Sequence, residues 1–177
     1  TVVAATSAPG RVVTNGMSQY SRNERNANAA IVVGITPADF PSDDPLAGIA
    51  LQEDLEARAF VLGGGNYDAP AQLVGDFLAN RASTQLGEVI PSYRPGVRLT
   101  NLAGLLPDYA TAAIREAMPA FGRQIPGFAA ADAVFTAVED LGQPRSLAGW
   151  QEFLTGLLDR FFAEDEDSAD ELGVARA

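Results

Sequence analysis

The spacing of apolar residues changes several times along the chain, and each change predicts an element. Residues 1–6 and 11–17 are rich in Val and Thr and are separated by Ser7-Ala8-Pro9-Gly10. Pro followed by Gly favours a tight reversal, so the two runs predict a β-hairpin. Residues 29–35 form a third, more apolar run, expected to be a strand pairing with the hairpin. Between the second and third runs lies a long polar stretch, residues 15–28.

From Asp44 the period lengthens. Leu46, Ile49, Leu55, Phe60 and Leu62 suit the apolar face of a helix over about 45–62. Pro45 falls in its first turn, where a missing N–H costs nothing. Gly63-Gly64-Gly65 ends it. A second helix is expected over 70–80, capped by Asp68, with Leu73, Val74, Phe77 and Leu78 on one face. Residues 81–100 read as irregular. A third helix is expected over 107–117, with Tyr109, Ala113, Ile114 and Ala117 inward. Met118-Pro119 should stop or kink it, because the residue before a proline avoids helical angles. Residues 133–138 read as a short strand. After Ser146, the residues Trp150, Phe153, Leu154, Leu157, Leu158 and Phe161 recur at helical spacing and predict an amphipathic C-terminal helix. Such a stripe needs a surface to cover it, so self-association through this helix is one expectation. The fold class is α+β: a small antiparallel sheet with a helical subdomain, plus the C-terminal helix.

Composition narrows the chemistry. The 177 residues carry a formal net charge of −11. That charge repels nucleic-acid phosphates and anionic membrane surfaces, so neither is an expected partner. Part of it is local, in Glu164-Asp165-Glu166-Asp167, which reads as a solvated tail. No apolar run approaches the ~20 residues of a membrane helix, and no basic-then-apolar leader opens the chain, so a cytoplasmic location is expected. Cys, His and Lys are all absent. Thiol nucleophiles, zinc–thiolate sites, imidazole bases and Schiff-base lysines are thereby excluded. The remaining resources are carboxylates, Tyr, Ser, Arg, backbone groups and a borrowed cofactor.

Three stretches could carry a site. Gly63-Gly64-Gly65-Asn66-Tyr67-Asp68 is near the dinucleotide-loop pattern, but it follows a helix instead of opening one, so a helix cap is the better reading. Asp39, Asp43 and Asp44 lack the alternation of a calcium loop and read as turn formers, so no metal site is expected. The polar stretch offers Ser18, Tyr20, Ser21, Arg22, Arg25 and Asn26. The bland reading is a hydrated loop. The functional one is a small-molecule site in which paired guanidinium groups clamp a carboxylate or phosphate.

Gly10-Arg11-Val12-Val13-Thr14-Asn15-Gly16-Met17-Ser18, Tyr20-Ser21-Arg22 and Asn26-Ala27-Asn28 resemble a family of bacterial FAD-dependent dehydrogenases, which are large flavoproteins. The likeness continues through Asp44-Pro45-Leu46-Ala47-Gly48-Ile49, Asn66-Tyr67-Asp68-Ala69-Pro70-Ala71-Gln72, Leu106-Pro107-Asp108-Tyr109 and Gly127-Phe128-Ala129 to about Glu139. The resemblance implies a division into residues 1–139, a substrate-side or cap-like region, and 140–177, a divergent C-terminal helix and acidic tail. It also implies that Ser18, Tyr20, Ser21, Arg22, Arg25 and Asn26 face flavin or substrate; it assigns no catalytic residue. Such proteins grip FAD by an N-terminal βαβ unit with a Gly-rich loop and by a second segment of the type G-E-G-A-G-Y-A-G-G. Neither pattern occurs in these residues. The chain is accordingly expected to be a fragment or remnant of an oxidoreductase, inactive alone and binding no FAD alone. The alternative is an interaction module built on the C-terminal helix.

Overall fold

The computed structural model describes residues 2–4 and 8–136 of the chain. The expected hairpin is present. Strand β1 (Val2–Ala4) pairs antiparallel with β2 (Thr14–Gly16), in the register Val2 to Gly16 and Ala4 to Thr14. The Arg11 N–H donates to the Ala8 carbonyl across the Pro9–Gly10 turn. Buried Val12 ties the hairpin to the helix α1 (Ala47–Leu62), its N–H donating to the Glu56 carbonyl at 3.2 Å.

Helix α1 forms where expected, and in the turn leading into it Asp44 Oδ1 accepts the Leu46 N–H at 2.7 Å. Its inward face holds Leu55, Phe60 and Leu62 as expected but differs at its start. Leu46 and Ile49 are exposed, and the buried positions are Ala47, Leu55, Glu56 and Ala59. Ala59 packs in one cluster with Val12, Ala69, Tyr93, Leu102 and Leu105. Small side chains at the contact carry little apolar signal, so the larger exposed residues misled the periodicity.

The expected helix over 70–80 is half strand. Ala69–Leu73 is β3, the middle of a second sheet of order β4-β3-β5, and only Val74–Leu78 is helical, as α2. Strand β4 (Val97–Leu99), within the stretch expected to be irregular, runs parallel to β3. Strand β5 (Val134–Thr136) is antiparallel to it. Pro70 sits in this central strand without breaking it. The described pairing with β5 spans only Ala71 to Leu73, and on the β4 side the ladder begins with the Ala69 N–H on the Gly96 carbonyl. Pro70 therefore stands where the ladders among the described residues require no donor.

The run 29–35 is not a strand and pairs with neither hairpin strand. Its alternation is satisfied another way: Ile31 and Val33 pack against a second core of Val74, Phe77, Ile114 and Met118, while Val32 faces out. Period-two burial needs a surface beneath the segment, not a ladder beside it. Helix α3 (Asp108–Gln124) also exceeds expectation by running through Pro119. Met118 before the proline is buried and Phe121 after it packs on the same core, so tertiary contacts outweigh the lost backbone bond. Its inward residues are Ala110, Thr111, Ile114 and Met118; Tyr109 and Ala113, expected inward, are exposed. Phe135 of β5 touches both cores and meets Phe77 edge-on, ring centroids 5.0 Å apart. The expected C-terminal amphipathic helix lies outside the described residues.

Candidate functional site

Beyond Gly16, the end of β2, the polar stretch is a loop anchored at its base. The Arg25 guanidinium donates to the Glu88 carbonyl at 3.0 Å, the Asn26 amide to the Ile90 carbonyl at 2.7 Å, and the Asn28 amide to the Met17 carbonyl at 3.0 Å. These bonds lay the loop against segment 88–90. At its tip, the Ser21 hydroxyl donates to Asn23 Oδ1, and the Arg22 N–H closes a turn on the Gln19 carbonyl. Arg22 adopts φ +48°, a left-handed angle that side chains other than glycine seldom take. Ser18, Tyr20, Ser21, Arg22 and Arg25 are exposed and Asn26 is half-buried; the Tyr20 ring is wholly in solvent. Among the described residues neither Arg22 nor Arg25 forms an ion pair.

Two of the acidic candidates, Asp39 and Asp44, have structural duties. Asp39 Oδ2 accepts both the N–H and the hydroxyl of Thr36 at 2.8 Å, closing a capping box on the short 3-10 turn Pro37–Asp39. These bonds, backbone first, hold its carboxyl below the usual range. Asp44 closes a tight turn just ahead of α1 through its bond to the Leu46 N–H. Among the described residues no group of three potential ligands could hold a metal ion. Of the other arginines, Arg98 donates to the Leu62 carbonyl at the end of α1, and Arg115 lies over the Phe77 ring while bonding Asn80 Oδ1.

Sequence reasoning missed a second place. Where β3 passes into α2, Gln72 is fully buried and its amide bridges two segments: Nε2 donates to the Arg81 carbonyl at 2.7 Å, and Oε1 accepts the Leu102 N–H at 2.9 Å. The Leu73 N–H donates to Ser83 Oγ, whose own hydroxyl donates to Asp76 Oδ2 at 2.7 Å. Asp76 Oδ1 accepts the Arg81 Nε–H at 2.6 Å. Leu73, Asp76, Arg81, Ala82, Thr84 and Gln85 line a half-open pocket of about 430 Å³. The partners are five to thirty residues apart and share no periodicity. The one local hint was a carboxylate and a guanidinium flanking Asn80, a residue tolerant of the left-handed turn it makes at φ +53°.

The Ser83 hydroxyl first, and then the Arg81 guanidinium, hold the Asp76 carboxyl below the ordinary value near 3.8. A carboxyl depressed in the folded state stabilises the fold above its unfolded pKa, and that contribution disappears as pH falls through the folded one. The melting-temperature gap between wild type and Asp76→Asn is therefore expected to narrow from about pH 5 to pH 2. Thermal melts across that window check it; a gap independent of pH would show that the ionised carboxylate is not what holds this corner.

A flavin pyrophosphate would need free backbone N–H groups at a helix N-terminus. The glycine run supplies the opposite. Gly64 N–H bonds the Val61 carbonyl and Gly65 N–H the Phe60 carbonyl, with Gly64 at φ +103°, a Schellman cap on the negative end of α1. The Asp44 carboxylate stands in the turn just ahead of α1, where it repels a second anion, and α3 opens on Pro107 and Asp108. The described residues do not fit a pyrophosphate cradle. No helix among them is long and apolar enough to cross a membrane.

A protein of Clostridium beijerinckii, named only as an uncharacterized protein, is 51% identical over 138 residues; the match covers 78% of this chain and 26% of that protein. The chain thus spans about a quarter of the relative's length. The model of a family described as "FAD-dependent protein, C-terminal domain-like" matches residues 1–141, and the chain belongs to that family.

Proposed function

We propose that this region is the substrate-side part of a FAD-dependent oxidoreductase, with the loop of residues 15–28 facing the cleft shared by flavin and substrate. The pyrophosphate would be gripped by other parts of the family protein. One observation carries the reading. The loop is tied at its base through Arg25 and Asn26, yet it leaves the Tyr20 ring wholly exposed. An anchored loop with an uncovered aromatic suits a surface completed by something else. Within it, Arg22 is the anchor for an anionic group of the substrate, since guanidinium binds oxyanions bidentately. Arg25 already gives one N–H to Glu88, so it positions the loop. Ser18 and Ser21 supply hydroxyls, and Tyr20 supplies a ring or a hydroxyl to the cleft. The interaction module built on the C-terminal helix concerns residues outside those described.

The test has two parts. The chain alone is expected to bind FAD no tighter than roughly millimolar, because several charge-assisted bonds of ~1.5–3 kcal/mol each are missing. Calorimetry finding micromolar affinity would contradict this. In a chimera carrying a family nucleotide-binding part, Arg22→Ala is expected to lower kcat/KM for flavin reduction by about 10- to 100-fold, the worth of one charged hydrogen bond, with flavin content retained. Unchanged kinetics in a folded, yellow variant would remove Arg22 from the site.

A further inference from the structure

The pocket beside α2 is independent of the loop of residues 15–28 and of its assignment. Its centre is a guanidinium held in place from several sides. The Arg81 N–H bonds the Asp76 carbonyl at 3.0 Å, its carbonyl accepts from buried Gln72, and its Nε–H is fixed on Asp76 Oδ1. Asp76 is itself held by Ser83, whose hydroxyl oxygen takes the Leu73 N–H of β3. The chain of bonds runs from the sheet to the guanidinium, so the head group is pre-oriented. The Asp76 side chain is 14% exposed and that of Arg81 72%, which places the ion pair with its carboxylate inward and its cation outward. Nε is engaged, and the two terminal amino groups of Arg81 have no partner among the described residues.

That edge of a guanidinium is a two-pronged donor matched to a planar oxyanion. The surrounding wall says which kind. Leu73 and Ala82 supply an apolar side, while Thr84 and Gln85 supply neutral hydrogen-bonding groups. Arg81 is the one cation in this lining and Asp76 stands beside it, so a phosphate dianion meets more repulsion than a singly charged group. The volume of about 430 Å³ falls in the usual range for ligand clefts, ~300–1,000 Å³. We propose that this pocket binds a small organic carboxylate, its carboxylate on the outer edge of Arg81 and its hydrocarbon part on Leu73 and Ala82.

Butyrate is the probe. The full chain is titrated with it in 0.15 M NaCl, where a Debye length of about 8 Å screens the net negative charge. The NMR signals of the Arg81 Nε–H and of the Thr84 and Gln85 amides are followed. Saturable shifts at these groups are expected, with none from 1-butanol and an affinity for inorganic phosphate at least about tenfold lower. Arg81→Gln keeps both backbone bonds, and with an unchanged melting temperature it is expected to weaken butyrate binding at least about tenfold. Arg81→Lys keeps the charge without the fork and is expected to lose a similar factor. Should Arg81→Gln unfold, Arg81→Lys and Thr84→Val decide, the latter expected to weaken binding about threefold through one neutral hydrogen bond. Shifts that do not saturate, full affinity in the Arg81 variants, or phosphate binding as tightly as butyrate would each overturn the assignment.

Discussion

Replacing Gln72 by Leu is expected to destabilise the protein by on the order of 3 kcal/mol, although the new side chain is apolar, similar in size and fully buried. Gln72 has no solvent exposure, and its amide serves both ends of the corner. Oε1 takes the N–H of buried Leu102, and Nε2 reaches the Arg81 carbonyl. A Leu at this position leaves the Leu102 N–H facing hydrocarbon and the Arg81 carbonyl without its donor. An orphaned buried group costs ~1–3 kcal/mol, whereas the extra apolar burial returns little because the site is already dry. In a chain of this length the loss corresponds to a melting temperature lower by about 10 °C. Gln72→Glu separates the two bonds: it keeps the acceptor for Leu102 but sets an oxygen against the Arg81 carbonyl. Its deficit is expected to be smaller in acid, where the protonated carboxyl donates again. A Leu variant that melts with the wild type would show that the corner is held by packing alone.

The same corner explains what the sequence could and could not disclose. Elements fixed by local chemistry were legible: the Pro9–Gly10 turn, the turn at Asp44 leading into α1, the glycine stop of that helix, and β5. Strand β3 was not, because Ala-Pro-Ala-Gln has little intrinsic β preference and an apolar run beyond it suits a helix. It is a strand because β4 and β5 flank it, and those partners are remote in sequence. Residues 29–35 show the converse: the strand-like alternation is real, but no neighbouring strand uses it. Pro119 does not end α3, because Met118 and Phe121 pack on a core whose other members lie outside any local window. The polar loop could be singled out from its density of donors, whereas the anchoring of Arg25 and Asn26 on carbonyls more than sixty residues away could not. The Arg81 pocket was invisible for the same reason: its order comes from Gln72 and Ser83, which read as ordinary polar residues until the sheet and loop bring them together.

Gly63→Ala is expected to be among the most damaging single-methyl additions in the described region, and the reason is not backbone freedom. Gly63 has φ −70° and ψ −10°, angles that alanine adopts without cost. A Cβ built there would collide with the Asp68 carbonyl oxygen and stand 3.1 Å from that of Ala59. Both obstacles are backbone. The chain leaves α1, turns through the Schellman cap and returns so close that only hydrogen fits. Relief requires moving Asp68, which leads straight into β3, and Ala69 is the residue whose N–H starts the ladder on the Gly96 carbonyl. The collision therefore sets the end of α1 against the register of the second sheet. Overpacking against rigid surroundings costs ~1–3 kcal/mol and occasionally more, so a loss of about 3 kcal/mol is expected. Gly64→Ala provides the contrast. Gly64 has φ +103°, but its nearest neighbours are the flexible end of the Arg98 side chain at 3.4 Å, so its cost is local strain of about 1–2 kcal/mol. Denaturant unfolding of the two variants should rank Gly63→Ala as the less stable, and hydrogen exchange should show faster opening at the Ala69 N–H in that variant alone. Equal losses, or unchanged protection at Ala69, would mean that the approach of Asp68 to Gly63 is slack enough to admit a methyl group and that the helix end does not fix the sheet.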